Sequence, residues 1–192
     1  MSQPARIGAL PPEFTSAVHE LAVFEWDRRL DITELDPPAK IAPYAAAIDA
    51  DIESGDAGGR LIVLYDPAGN PAWEGAFRCV SFARAELPEE MARDQLLVDV
   101  GWSWLTEALQ TRGAAYLAAS GTVTTTTSTS FGALADKAPS GDIEIRASWT
   151  PMLDADHRLD CHLAAWQSLL LQVAGLPPDP AIRSLADRMA AR

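Results

Sequence analysis

The chain is short of several things, and each shortage excludes something. Its 192 residues contain two cysteines, Cys79 and Cys161, far apart in sequence. Two widely spaced cysteines make no disulfide framework, and a reducing compartment follows as the expectation. No run approaches 18 apolar residues, so no membrane-spanning helix is expected. Residues 1–10 hold a single Arg and no apolar stretch of signal-peptide length, which predicts no secretion leader. Positive charge is scarce: 15 Lys and Arg stand against 27 Asp and Glu, a formal net charge of −12. That sign repels phosphate backbones and anionic lipid surfaces, so neither nucleic acid nor membrane is expected as a partner. A protein partner, or a second copy of the chain, suits such a surface better.

Hydrophobic residues, at 48%, are plentiful, and the length suits one domain with a sizeable core. Six tryptophans stand out: Trp26, Trp73, Trp102, Trp104, Trp149 and Trp166. Each needs an apolar bed and a partner for its indole N–H.

The patterning predicts one α+β domain over residues 12–178. A flexible N-terminus, 1–11, precedes it and a short C-terminal helix, 179–192, follows. A helix is expected over about 12–26, with Pro11 and Pro12 at its entry and Phe14, Ala17, Val18 and Leu21 at helical spacing. A short edge piece, Leu30–Leu35, comes next. Three stronger strands follow: Ile41–Glu53, Arg60–Tyr65 and Trp73–Leu87. The Ser54–Gly59 and Asp66–Pro71 stretches read as turns between them. A second helix, Val98–Arg112, stops at Gly113. Strands Ala115–Phe131 and Asp142–Thr150 come next, and a third helix, about 156–174, stops at Gly175. Short connections join strands in sequence, so the expected order α-βββ-α-ββ-α gives an antiparallel sheet with helices mainly on one face. Small acidic chaperones of the type III secretion class share this order of elements, a likeness of layout only.

Three groups of residues are candidates for function. In Val98–Arg112 the apolar arc spans about 200° on a helical wheel, with Trp102 and Trp104 about 160° apart on its flanks. One sheet face does not hold both. Either another helix closes over the second flank or a partner chain does, and aromatics concentrate at such interfaces. The second group lies on strands. Arg78, Arg84 and Glu86 share one face of Trp73–Leu87, and with Arg146 they frame either a polar pocket or a solvated face. The third is His157 and Cys161, at i and i+4 on one helix face, with His162 beside them. Such a pair is a weak metal candidate, for no third and fourth ligand stands at standard spacing. No Gly-x-Ser-x-Gly elbow, phosphate loop or His-Glu-x-x-His motif occurs. No cofactor is implied and no catalytic residue is assigned.

Several segments have a familiar wording. They are Ala42-Pro43-Tyr44-Ala45, Gly59-Arg60-Leu61-Ile62-Val63-Leu64-Tyr65-Asp66-Pro67, Gly75-Ala76-Phe77-Arg78, Val100-Gly101-Trp102-Ser103-Trp104-Leu105, Ser130-Phe131-Gly132 and Ala147-Ser148-Trp149-Thr150-Pro151. Together with Ala174-Gly175-Leu176-Pro177-Pro178, they resemble the actinobacterial "domain of unknown function 3000" family over roughly residues 12–178. The resemblance implies a bacterial cytoplasmic protein and supplies no catalytic residues. The combined expectation is a non-enzymatic, chaperone-like binding or adaptor protein working through an apolar helix surface, with a homodimer as its candidate assembly. The alternative is a small-ligand binder or enzyme using the charged sheet face.

Overall fold

A computed structural model describes residues 10–38, 40–53, 56–154 and 158–176. The elements are α1 (Pro12–Val23), β1 (Leu30–Leu35), β2 (Tyr44–Ile52), β3 (Ala57–Asn70), β4 (Gly75–Leu87), α2 (Glu89–Ala92), α3 (Leu97–Thr111), β5 (Tyr116–Ser128), β6 (Ser140–Pro151) and α4 (Asp160–Val173). The six strands form one sheet in the order β1-β2-β3-β4-β6-β5, antiparallel throughout. The expected fold class is thus the observed one.

Strand alternation sorts the two faces. Cross-strand partners share a face, so the pairs Val63–Cys79, Leu61–Ser81, Ser81–Ala147 and Ala83–Ile145 place those residues together on one side. This is the helix side. Trp149, Ile143, Ile145, Leu105, Leu109, Leu163 and Trp166 are fully buried there. At the other end of the same face, Phe14 of α1 stacks on Tyr65 at 6.0 Å, and Tyr65 meets Phe77 at 4.4 Å.

Two glycines let helices sit this close. A Cβ on Gly59 would lie 2.5 Å from the Leu170 side chain of α4 and 2.5 Å from the Phe82 carbonyl. A Cβ on Gly121 would lie 2.8 Å from Trp102 of α3 and 2.2 Å from the Arg146 carbonyl. A side chain at either position would push the helix off the sheet.

Several boundaries depart from expectation: β2 starts at Tyr44 rather than Ile41, β4 at Gly75 rather than Trp73, and β5 ends at Ser128 rather than Phe131. Residues 57–59, read from composition as a turn, are the start of β3, because Gly58 and Gly59 pair with Asp51 and Ala50. The Asp66–Pro71 stretch was expected to turn, but β3 continues to Asn70 with a register break after Tyr65. The turn proper is short and is tied by the Asn70 carboxamide oxygen accepting from the Ala72 N–H at 2.9 Å. The single-turn helix α2 was not expected at all, since four residues carry no readable periodicity. Helix α1 ends at Val23 rather than 26. Residues 1–9 and the expected helix 179–192 lie outside the described residues.

Candidate functional site

The side of the sheet away from the helices is the one with chemistry on it. Its residues run in cross-strand rows. One row is Ala47, Ile62, Val80, Ser148 and Ser120, on β2, β3, β4, β6 and β5. The next is Asp49, Arg60, Phe82, Arg146 and Thr122. The third is Asp51, Gly58, Arg84, Glu144 and Thr124. Among the described residues no helix packs here. The face instead forms a trough of about 820 Å³ lined from all five of these strands.

Ile62, Val80 and Phe82 make an apolar, half-buried floor. Arginines rise from it. Arg60 donates to the Asp49 carboxylate at 2.9 Å, and that bond holds its guanidinium above the ordinary range. Arg146 bonds Glu144, which raises it likewise, and its guanidinium lies 5.3 Å from the Phe82 ring centre. Arg84 is exposed and forms no ion pair among the described residues. Three arginines and two aspartates line the trough, and Glu144 pairs with Arg146 beside it, so positive and negative charge balance there in a chain that is otherwise strongly acidic.

Arg78 belongs to the same face and differs from the other three. It is 6% exposed. One Nη1 hydrogen goes to the Ala118 carbonyl at 2.8 Å and the other to Thr150 Oγ1 at 3.0 Å. Nη2 donates to Ser120 Oγ at 3.2 Å and Ser148 Oγ at 2.7 Å. Among the described residues no carboxylate forms an ion pair with it. Burial pulls the guanidinium below its ordinary value, yet an arginine stays charged. The Ala118 carbonyl reaches it because β5 breaks register between Leu117 and Ser120, where Ala118 takes the left-handed φ of 47°.

The six candidate binding residues therefore separate. Arg84 and Arg146 line the trough, Arg78 lies buried at the edge of it, and Glu86 stands one row beyond, opposite Asp142. Trp102 and Trp104 are elsewhere, on the helix side. Trp102 lies against Gly121 of β5, and Trp104 lines a groove of about 600 Å³ between α3 and α4 with Ala108, Leu171 and Leu176. Both rings are half-buried, so α4 borders the flank that the sheet leaves uncovered.

His157 lies outside the described residues. Cys161 is half-buried, and burial, with Asp160 second, pushes its thiol up, away from the thiolate a metal needs. His162 turns inward instead: its Nδ1 accepts the Trp149 indole N–H at 3.1 Å, and burial lowers it to about 4. Among the described residues no three His, Cys, Asp or Glu side chains gather as a metal site. Among them, too, no helix is long and apolar enough to cross a membrane.

Sequence reasoning missed Ser120, Ser148, Ile62, Val80 and Arg60 as site residues. Strand alternation places all five on one side; only the strand order brings them together. No curated protein and no solved structure matches the chain. A family model does, over residues 10–183, and by that match the chain belongs to the family described as protein of unknown function (DUF3000).

Proposed function

We propose that this chain is a ligand-binding protein whose site is the trough on the helix-free side of the sheet. One observation carries the reading: about 820 Å³ of open space over an apolar floor, walled by arginines, in an acidic chain. Small-molecule sites have this size and this mix of apolar lining and few polar groups. The reading is non-enzymatic. The lining holds no His, Cys or Lys; Ser120 and Ser148 face a guanidinium and Ser81 an indole N–H, rather than a base that would activate them. Two free thiols, one fully buried, suit a reducing, cytoplasmic location.

Ile62→Asp tests the site. It places a charge on the trough floor without touching the helix side. Calorimetric titration with apolar small molecules should show binding to the native chain and none to the variant. Equal binding by both would remove the trough from consideration.

A second reading has its own support. Leu96 is 67% exposed, Met91 48% and Val100 41%, all around the start of α3. These residues, with the Trp104 groove, favour an adaptor or chaperone-like role through self-association of two copies. Sedimentation equilibrium at high protein concentration decides it, and a strict monomer excludes it.

A further inference from the structure

We infer that the trough is built for an apolar molecule ending in a carboxylate, with Ser120 and Ser148 as the head-group site and Arg78 as the cation behind them. This rests on the trough being the ligand site.

Hydrogen counting leads to the head group. Both Nη2 hydrogens of Arg78 are spent on serine oxygens, at 3.2 Å for Ser120 and 2.7 Å for Ser148. Each serine is thus an acceptor toward the cation, and its own hydroxyl hydrogen is left to donate. The two oxygens are 3.4 Å apart, so one hydrogen can be shared between them. At least one remains, and both residues line the trough. Thr150 differs: its hydroxyl donates to the Trp73 carbonyl and closes its own circuit away from the trough. The trough therefore presents charge-assisted donors at this point and asks for an acceptor.

Charge sets the sign and limits the size. Arg78 is a buried cation whose direct hydrogen-bond partners are all neutral oxygens, and Glu74 acts on it only through space, so its positive charge is at most partly compensated beneath the serines. Exposed Arg84 adds a second cation without an ion pair among the described residues. A cationic ligand would meet these charges without relief. A dianion would face Asp49, Asp51 and Glu144 on the adjoining rows, which leaves a single negative charge as the best fit.

The row itself orients the tail. Ser120 and Ser148 continue directly into Val80 and Ile62. Three strand spacings separate β5 from β3, roughly 14 Å at about 4.8 Å each. A chain or ring system of about ten carbons laid across the strands covers Val80 and Ile62 with its carboxylate at the serines.

The test is calorimetric titration of the full chain with decanoate, 1-decanol and decylammonium, each below its self-association limit. Decanoate should bind tightest and decylammonium weakest. Ser120→Ala/Ser148→Ala should weaken decanoate by roughly tenfold or more and leave decanol unchanged, as expected for losing hydrogen bonds to a charged group. Should the double variant not fold, Ser120→Ala alone decides, because Ser120 is exposed: decanoate must weaken and decanol must not. Decanol binding as tightly as decanoate, or both falling together in the serine variants, overturns the carboxylate inference and leaves the trough reading standing. No binding by any of the three overturns both.

Discussion

The two faces of the sheet solve opposite problems with the same strands. On the helix side polar atoms are few, and those that are buried are closed off in pairs. Trp149 donates to His162 at 3.1 Å, and Trp166 donates to Ser81 at 3.0 Å. Both bonds join neutral groups deep in the core, where an unpaired donor would be costly. On the other side Arg78 is buried with full charge, hydrogen-bonded to neutral acceptors alone and with Glu74 acting on it only through space. A face that only had to be stable would favour apolar residues there, since a buried charge is poor value for stability. The contrast separates a face organised for packing from one that no helix covers among the described residues.

The largest effect is expected from breaking the packed face. Trp166→Ala removes a fully buried ring and leaves Ser81 Oγ without its donor. About 3–5 kcal/mol should be lost in chemical denaturation. Acid should act on the same face through His162. Its native value of about 4 lies below the 6.5 of an unfolded histidine. The unfolded chain therefore takes the proton first as pH falls. Stability from this group is complete above pH 6.5 and declines toward pH 4, by about 1.4 kcal/mol per unit at most. His162→Asn keeps an acceptor for Trp149 but does not titrate, so the native-minus-variant difference in urea midpoint between pH 7 and pH 4.5 isolates the term.

Arg78→Met sharpens the comparison from the other side. It strands four acceptor oxygens, but Ser120 is exposed and water replaces part of what is lost. About 1–3 kcal/mol is expected, less than for Trp166. The smallest effect belongs to Asp49→Asn. The Arg60–Asp49 pair is half open to solvent, with side-chain exposures of 49% and 34%, and its loss should cost less than about 1 kcal/mol. An Asp49 effect larger than the Arg78 effect would invert this picture of the bare face.

Much of the fold was legible because local patterns carried it. The alternation Ile143, Ile145, Ala147, Trp149 against Glu144, Arg146, Ser148 assigns both faces of β6, and the observed burial follows it. The same holds for Arg78, Val80, Phe82, Arg84 and Glu86 opposite Phe77, Cys79 and Ala83 on β4. Less of the site was legible. Arg78 and Arg84 look alike in sequence, three pairs of residues apart on one strand face. Arg78 gains a backbone acceptor because the β5 bulge brings the Ala118 carbonyl to it from 40 residues away, and Thr150, Ser148 and Ser120 complete its surroundings. Serines 120 and 148 carried no signal of their own, since a serine in a strand reads as surface until a cation is placed behind it.

Composition and periodicity alone determined that this is an acidic α+β protein with an antiparallel sheet, one apolar and one charged strand face, and a tryptophan-flanked central helix. These depend on spacing along the chain, which the backbone geometry of strand and helix converts directly into sidedness. Strand order, the seating of Trp102 on Gly121 and of Trp104 beside α4, and the burial of Arg78 depend on contacts between distant segments. Packing in three dimensions settled those, because a side chain's environment is made by neighbours that its own stretch of sequence does not name.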